Sequence, residues 1–418
     1  MLPLRNKLLF NSSWMTLGLG IRTVFQAVYF ILIARAIGPA EYGILASTMA
    51  LIGILAPFAS WGSGNILVKH TSRDAQLFSK YWGTAIATTI VSSLFFIFVS
   101  LFLTKIALPD NFDFWLVLSI GLAELFFTRL INISAQAFQA VERLSVTAQI
   151  YILFSAVRLF CAFIFINSNF ELSANNWAFF YLISTIVSAL PALFWVYRSL
   201  GWGKISLLPM IPEFKEGFYF SLGSSSQGFY NDIDKTLLAR ISGNEVAGIY
   251  TVAYRIIGAA FVPVSALLNS TYARFFKLGE AGVAKTKQYA IKLLPLGISY
   301  TLFASLILYL FAPAIPIILG KNYSETSEVI LWLIPLLSLK VIHYLGSDAL
   351  SGAGYQNFRS GIQISVAVIN LVLNLLWIPV FGWLGAVWSS LCSDGILLLS
   401  FWVTILILQS REKTDSII

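Results

Sequence analysis

Eleven charged residues sit inside stretches of sequence that are otherwise apolar: Arg22, Arg129, Arg158, Lys235, Arg255 and Lys340 against Glu124, Asp232, Asp234, Asp348 and Asp394. A charge near the centre of a bilayer costs from about 2.5 to more than 10 kcal/mol depending on the scale, so these groups must be paired or face water. Guanidinium is planar and always charged, and it grips two oxygens of a phosphate or pyrophosphate at once. Carboxylates in the same region are candidates to take up a proton or a sodium ion, and we assign that role to Asp234, Asp232, Glu124 and Asp394. His343 lies in the same apolar surroundings, where it reads either as a proton relay or as an ordinary hydrogen-bond partner.

Helical spacing gathers these residues into stripes. Ser224, Gln227, Asn231, Asp234 and Lys235 fall within about 100° on one helix. Asp232, at the edge of that stripe, stands three before Lys235 and is its expected local partner, which leaves Asp234 available. Arg22, Gln26 and Tyr29 form a second stripe, and Arg129, Asn132, Gln136 and Gln139 a third. Lys340, His343, Tyr344 and Ser347 form a fourth, and Gln363, Asn370 and Asn374 a fifth. Hydrogen bonding between helices explains any one stripe, and is worth about 0.6–2 kcal/mol per contact. The arginines point further, to a wet lumen lined also by Gln26, Gln227, Asn231, Asn370 and Asn374. The first half carries a surplus of two positive charges in its spans and the second a surplus of one negative.

The elements that must position these groups are membrane helices. The chain is 58% hydrophobic and only 11% charged, with a mean hydropathy of +0.81, whereas soluble domains are about 25% charged. Apolar runs of about twenty residues or more can be drawn twelve times, at approximately 12–36, 42–68, 82–106, 113–140, 146–167, 174–197, 217–240, 247–273, 290–318, 327–350, 361–381 and 384–408. The first run holds Arg22 and is too long for the core of a secretory signal, so it reads as an uncleaved helix.

Cys161 and Cys392 both lie in apolar runs and read as small core residues, and two histidines cannot build an imidazole metal site. No metal and no cofactor is expected. The chain has no GxxxxGK[ST] loop, so it does not hydrolyse ATP by that route.

The stretch IARAIGPAEYGI, 33–44, is nearly repeated as LARISGNEVAGI, 238–249. Sliding the chain by 205 positions superposes Leu32, Ala34, Arg35, Gly38, Gly43, Ile44, Ile52 and Gly53 on identical residues. The match falls at the same helix–turn–helix junction of each half, so the chain reads as two six-helix bundles, 1–200 and 217–418, joined by a linker at 201–216. Six is even, which makes the halves parallel repeats about a central cavity. Pro57, Gly62 and Gly64 interrupt the second span, and Gly258 and Pro263 the eighth, at nearly equivalent places. The basic stretch 274–292 reads as a short amphipathic helix. Seventeen basic residues flank the spans on the side of the N-terminus and four on the other, so both termini are expected in the cytoplasm. The net charge of +8 is mostly this bias. It suits anionic headgroups of membrane lipids and requires no nucleic acid.

The first span through Gly64, with GPAEYG at its turn, resembles the start of bacterial polysaccharide-biosynthesis membrane proteins. These are the O-antigen-repeat flippases of the multidrug, oligosaccharidyl-lipid and polysaccharide exporter superfamily. NDIDKTLLARISGNEVAGIYTVAYRI, 231–256, resembles that family's second-half counterpart, with Gly243, Val246, Gly248, Tyr250 and Ala253 at its turn and helix start. The resemblance implies an all-α integral membrane protein that is no enzyme. It would move an undecaprenyl-pyrophosphate-linked oligosaccharide, such as an O-antigen or other surface-polysaccharide unit, across a bacterial inner membrane by alternating access. Protons or sodium and polysaccharide assembly proteins are its implied partners. The pyrophosphate would then sit on Arg22, Arg129, Arg158, Arg255, Lys340 and Lys235. An ion-coupled drug or metabolite antiporter of the same superfamily is the first rival, and would favour acids in its lumen. A membrane glycosyltransferase or polymerase is the second, and the short outward loops disfavour it.

Overall fold

Hydrocarbon offers a backbone amide no partner but its own chain, so a segment crossing it must close its hydrogen bonds internally. The computed structural model describes residues 4–72, 74–109, 112–204 and 211–415, with the side chains of 4–17 and some others in the helices outside it. Among the described residues there are fifteen α-helices and no strand.

Two compact units divide the chain, Met1–Asp232 and Ile233–Ile418, and the division falls inside one helix. The first unit holds α1 (Leu4–Leu55), α2 (Ser63–Thr71), α3 (Phe78–Ala107), α4 (Phe114–Gly121), α5 (Thr128–Ala140), α6 (Leu144–Ile166), α7 (Ala174–Leu200) and most of α8 (Ile211–Ile241). A π-helical turn, Leu122–Phe127, joins α4 to α5 without a break. The second unit holds α9 (Asn244–Gly279), α10 (Val283–Phe311), α11 (Ile315–Leu319), α12 (Ser324–Leu333), α13 (Pro335–Gly352), α14 (Gln356–Phe381) and α15 (Trp383–Asp415). Of the expected linker at 201–216, residues 205–210 lie outside the described ones. Gly201–Lys204 is anchored on α3, where Ser79 Oγ donates to Trp202 O at 2.9 Å and Lys204 N to Ser79 O at 2.8 Å.

The duplicated junction is a duplicated backbone. Gly38 kinks α1 at φ 77°, ψ 172°, and Gly243 separates α8 from α9 at φ 100°, ψ 162°. That region of backbone space is essentially closed to residues with a Cβ. Further on, the α5–α6 and α13–α14 turns also match. Glu142 (φ 57°) and Gly354 (φ 86°) take the left-handed position, and the next residue's amide closes each turn at 2.9 Å, Arg143 N to Phe138 O and Tyr355 N to Leu350 O.

The halves differ where proline interrupts them. The expected second span, 42–68, is broken: α1 ends at Leu55, and Trp61 (φ 48°) and Gly62 (φ 63°) turn the chain before α2. Serines of α8 cover the carbonyls that the break frees, Ser225 Oγ donating to Ile54 O at 2.7 Å and Ser221 Oγ to Pro57 O at 3.0 Å. Gly258 and Pro263 interrupt the apolar pattern of the eighth span at nearly equivalent places, yet α9 runs through both as one helix. Proline there removes one ladder bond only, and Tyr300 Oη from α10 donates to Ala260 O in the loosened turn at 2.9 Å. Residues 274–292 form no separate helix; α9 runs on to Gly279 and α10 starts at Val283.

By length and composition nine helices among the described residues can cross a membrane, ten if α12 and α13, bent by 43°, count as one. The twelve drawn from sequence differ from these because α1 holds two of them across Gly38, and α8 is a helix too polar to pass on composition. Cys161 is buried, but Cys392 is exposed rather than a core residue.

A Cβ at Gly38 or Gly243 would meet nothing within 4 Å, so strain in the backbone alone should decide the effect of alanine. Gly38→Ala and Gly243→Ala are each expected to cost about 1–3 kcal/mol. Gly53→Ala, in a helical position equally free of neighbours, should cost nothing. Thermal unfolding of the three variants in detergent checks the contrast.

Candidate functional site

In the first unit the charged side chains form one connected group. Glu124 rides on the π-helical turn, a helix form often found where a backbone is adapted to function. Its carboxylate accepts a short hydrogen bond from Tyr181 Oη and lies 4.0 Å from Arg158 Nη2. Arg158, only 7% exposed, also donates to Thr185 Oγ1 at 3.0 Å and sits 3.6 Å above the Tyr181 ring and 4.3 Å from that of Phe154. Arg129 Nε donates to the backbone oxygen of Glu124 at 3.2 Å. The π turn loosens the ladder there, and Ser93 Oγ from α3 reaches the next carbonyl, Leu125 O, at 2.5 Å.

Arg22 projects from α1 over the ring of Tyr151 at 4.8 Å, and Tyr151 is within electrostatic range of both Arg22 and Arg129. Among the described residues neither arginine has a carboxylate in ion-pair reach. Three cations therefore face one acid, which stands nearest Arg158 and lies within electrostatic range of Arg129 as well. The surplus positive charge rests on Arg22 and Arg129, both half-buried. Gln26, Asn231 and Asp232 are half-buried on α1 and α8, while the side chain of Gln227 lies outside the described ones.

The second unit carries a group of different make-up. Asp234, expected to be available, is 2% exposed and accepts from Tyr250 Oη at 2.5 Å and from Lys235 N at 2.8 Å. Tyr250 Oη lies 3.3 Å from Ser390 Oγ. Lys235 Nζ stands 4.4 Å over the Tyr254 ring, and Lys340 Nζ donates to Tyr254 Oη at 2.8 Å. One turn beyond Lys340 on α13, His343 Nε2 is 3.4 Å from Asp394 Oδ1, with both residues buried. Asn370 Nδ2 donates to Ser393 Oγ at 3.1 Å, and Asn374 Nδ2 to Asn370 Oδ1 at 3.0 Å. Arg255 is half-buried beside Tyr254 on α9. Asp348 faces Arg359, a residue counted from sequence among the loop cations, at 4.0 Å. No group of three or more His, Cys, Asp or Glu among the described residues could hold a metal ion.

Two internal correspondences explain this layout. Arg22, Gln26 and Tyr29 stand at the 205-residue spacing from Gln227, Asn231 and Asp234, so the same helix face is polar in both halves. Arg158 bonded to Thr185, between α6 and α7, is matched by Asn370 bonded to Ser393, between α14 and α15. One copy of the duplicated contact is cationic and the other neutral.

The residues missed from sequence are Tyr151, Tyr181, Thr185, Tyr250, Tyr254 and Ser390. Tyr181 with Thr185 and Tyr250 with Tyr254 share the spacing of one helical turn, which was the available signal.

Comparison with known proteins bears on the whole chain. The family model described as polysaccharide biosynthesis protein matches residues 8–278. A probable low-salt glycan biosynthesis flippase of Haloferax volcanii is 22% identical over 87% of this chain and 76% of its own length. An uncharacterized membrane protein of Methanocaldococcus jannaschii is 30% identical over 42% of this chain, which spans only 41% of that protein. An inward-facing multidrug resistance transporter of the MATE family, in the MOP superfamily, superposes with a TM-score of 0.76 at 15% identity, over 95% of this chain and 99% of its own. A MOP superfamily transporter of Pyrococcus furiosus, whose binding pocket is described as of reverse polarity, superposes with a TM-score of 0.66 at 16% identity, over 96% of each chain. These likenesses establish an all-helical fold shared with those proteins.

Removing the acid beside Arg158 should strand a buried cation. Glu124→Leu is expected to destabilise the protein by about 3 kcal/mol, and Glu124→Leu with Arg158→Met should recover most of the loss. A thermal-unfolding double-mutant cycle measures the coupling; additive losses would show that the two side chains do not compensate each other.

Proposed function

Because the chain belongs to the polysaccharide biosynthesis protein family, we propose that it is a flippase for a lipid-linked oligosaccharide, carried on undecaprenyl pyrophosphate or a polyprenyl relative of it. The observation that carries this reading is the surplus of positive charge at Arg22 and Arg129, which share Tyr151 inside a helix bundle and have one acid, Glu124, within electrostatic range of Arg129. Two half-buried guanidinium groups with no carboxylate in ion-pair reach form a poor resting arrangement in hydrocarbon and a good seat for a phosphate or pyrophosphate headgroup. The named flippase of Haloferax supports the same class of cargo.

Arg158 takes a different part in this proposal. Its charge is balanced by Glu124, so it shapes the site and leaves the headgroup to its two neighbours. Lys235 and Lys340 on Tyr254 are further candidates to meet a phosphate, while Asp234, Asp394 and His343 are our candidates to exchange a proton or sodium ion during the cycle. Asp232 and Glu124 remain candidates for the same exchange. An uncharged lipid tail need not leave the bilayer while the sugars cross. The basic bias of the loops supports a cytoplasmic location for both termini in the membrane of a cell that builds a surface glycan.

Translocation of a lipid-pyrophosphate oligosaccharide in liposomes tests the reading. Arg22→Ala and Arg129→Ala, folded and inserted, are expected to lower the rate at least tenfold, the order of loss for one desolvated charge-assisted contact. Lysine at either place should restore only part of it, since an ammonium lacks the fork. Wild-type rates in both alanine variants would remove the arginine pair from the mechanism. Movement of cationic dyes driven by a proton gradient, with no glycolipid flipped, would replace the flippase by an antiporter.

A further inference from the structure

In the second unit a groove of about 460 Å³ runs between α14 and α15, within the size range of sites that hold a small ligand. Its walls are Asn357, Gly361, Ser365 and Ile369 on α14 and Ile396 and Ser400 on α15. None of these residues belongs to the charged group already described. The Asn370 and Asn374 side chains leave α14 on another face, toward Ser393 and Asn370.

The surroundings of the groove say what covers it. Phe358 lines it as well, and exposed apolar side chains flank it on both helices, Val368 on α14 and Leu399, Val403 and Ile407 on α15. In a membrane such a face meets hydrocarbon. From Asn357 to Ile369 the groove is about 18 Å long at 1.5 Å per residue, close to one leaflet of a hydrocarbon core about 30 Å thick. A chain lying in it spans a single leaflet, as the tail of an ordinary bilayer lipid does.

The mouth of the groove is polar and carries positive charge. Asn357 lies in the first turn of α14. α15 runs back beside α14 after the turn at Gly382, so its last turns stand beyond Asn357. Arg411 there shares the face of Ser400 and Ile407 at helical spacing, and it is exposed. This end of the hairpin belongs to the side with seventeen of the basic loop residues, which already favours anionic lipid headgroups.

We infer that the α14–α15 groove is a binding site for one phospholipid with an anionic headgroup, its acyl chain between Gly361, Ser365 and Ser400 and its phosphate at Asn357 and Arg411. The site is independent of the cargo and of the direction of transport. Its occupant closes a gap that would otherwise leave Ser365 and Ser400 against mobile lipid, and ties the hairpin end to one leaflet.

Native mass spectrometry of the full chain, released from nanodiscs of phosphatidylethanolamine and phosphatidylglycerol, tests it. Wild type is expected to retain one phospholipid, enriched in phosphatidylglycerol. Gly361→Leu fills the groove without a clash, because a Cβ there meets nothing within 4 Å, and should retain none; Ser400→Leu serves as the second filling variant, and thermal unfolding confirms that each is folded. Arg411→Gln should keep the lipid but lose about fivefold of the preference for phosphatidylglycerol. Equal retention by wild type and the filled variants would overturn the site. So would displacement of the retained phospholipid by stoichiometric polyprenyl phosphate, which would give the groove to the tail of the cargo instead.

Discussion

The structure depends on one constraint: inside hydrocarbon, a polar or charged group has only other protein groups, or what the protein carries, to bond with. Three departures from a regular helix among the described residues are answered by nearby side chains. Where α1 ends, Ser221 and Ser225 cover its carbonyls. Where Pro263 interrupts the hydrogen-bond ladder of α9, Tyr300 does so. Ser93 Oγ lies 2.5 Å from Leu125 O in the π turn and 3.1 Å from Ala59 O at the break after α1. A hydroxyl has one proton to give, so this serine holds two irregular segments with one donor, and the two breaks are mechanically adjacent.

Duplication under that constraint preserves backbone more strictly than side chains. Gly38 and Gly243 keep a conformation that few residues tolerate, and the turns at Glu142 and Gly354 keep the same closing bond. The contact between α6 and α7 in the first unit, and between α14 and α15 in the second, needs only a donor meeting an acceptor. Arg158 with Thr185 satisfies it, and so does Asn370 with Ser393. The cationic version carries an extra requirement, a counter-charge, and the first unit supplies it as Glu124 on a π turn. One extra residue in the helix, the defining feature of such a turn, changes which residues face Arg158 without moving either end of the span.

The sequence made the repeated junction legible because glycine is nearly obligatory there, so chemistry and geometry coincide. The spans were legible for a similar reason, since length and apolarity are what hydrocarbon demands. The fate of prolines was not. Pro57 and Pro263 look alike in sequence, and the outcome is decided by distant partners: two left-handed residues at 61 and 62 in one case, and a hydroxyl from α10 in the other. The π turn left no mark in the stripes, which assume a uniform period. Nor could the site tyrosines be told from the rest, because the chain has 17 of them and aromatic residues suit lipid-facing positions equally well. Charges were easy to find and their division of labour was not. Sequence spacing offered Asp232 to Lys235 and left Asp234 open, whereas the fold gives Asp234 a tyrosine on the next helix.

The choice of tyrosine as the neighbour of these cations has an electrostatic meaning. A carboxylate next to Arg22 would stabilise it more strongly, but would cancel its field. The face of an aromatic ring stabilises a cation by about 0.5–2 kcal/mol through its quadrupole and leaves the net charge intact. Tyr151 does this for Arg22, and Tyr254 offers the same face to Lys235 and Lys340. Glu124 shows the opposite solution in the same unit, where Arg158 is packed too deeply to be left uncompensated. A helix bundle selected only for stability would have used the second solution throughout. The arrangement that keeps charge available is the one the proposed anionic cargo would complete.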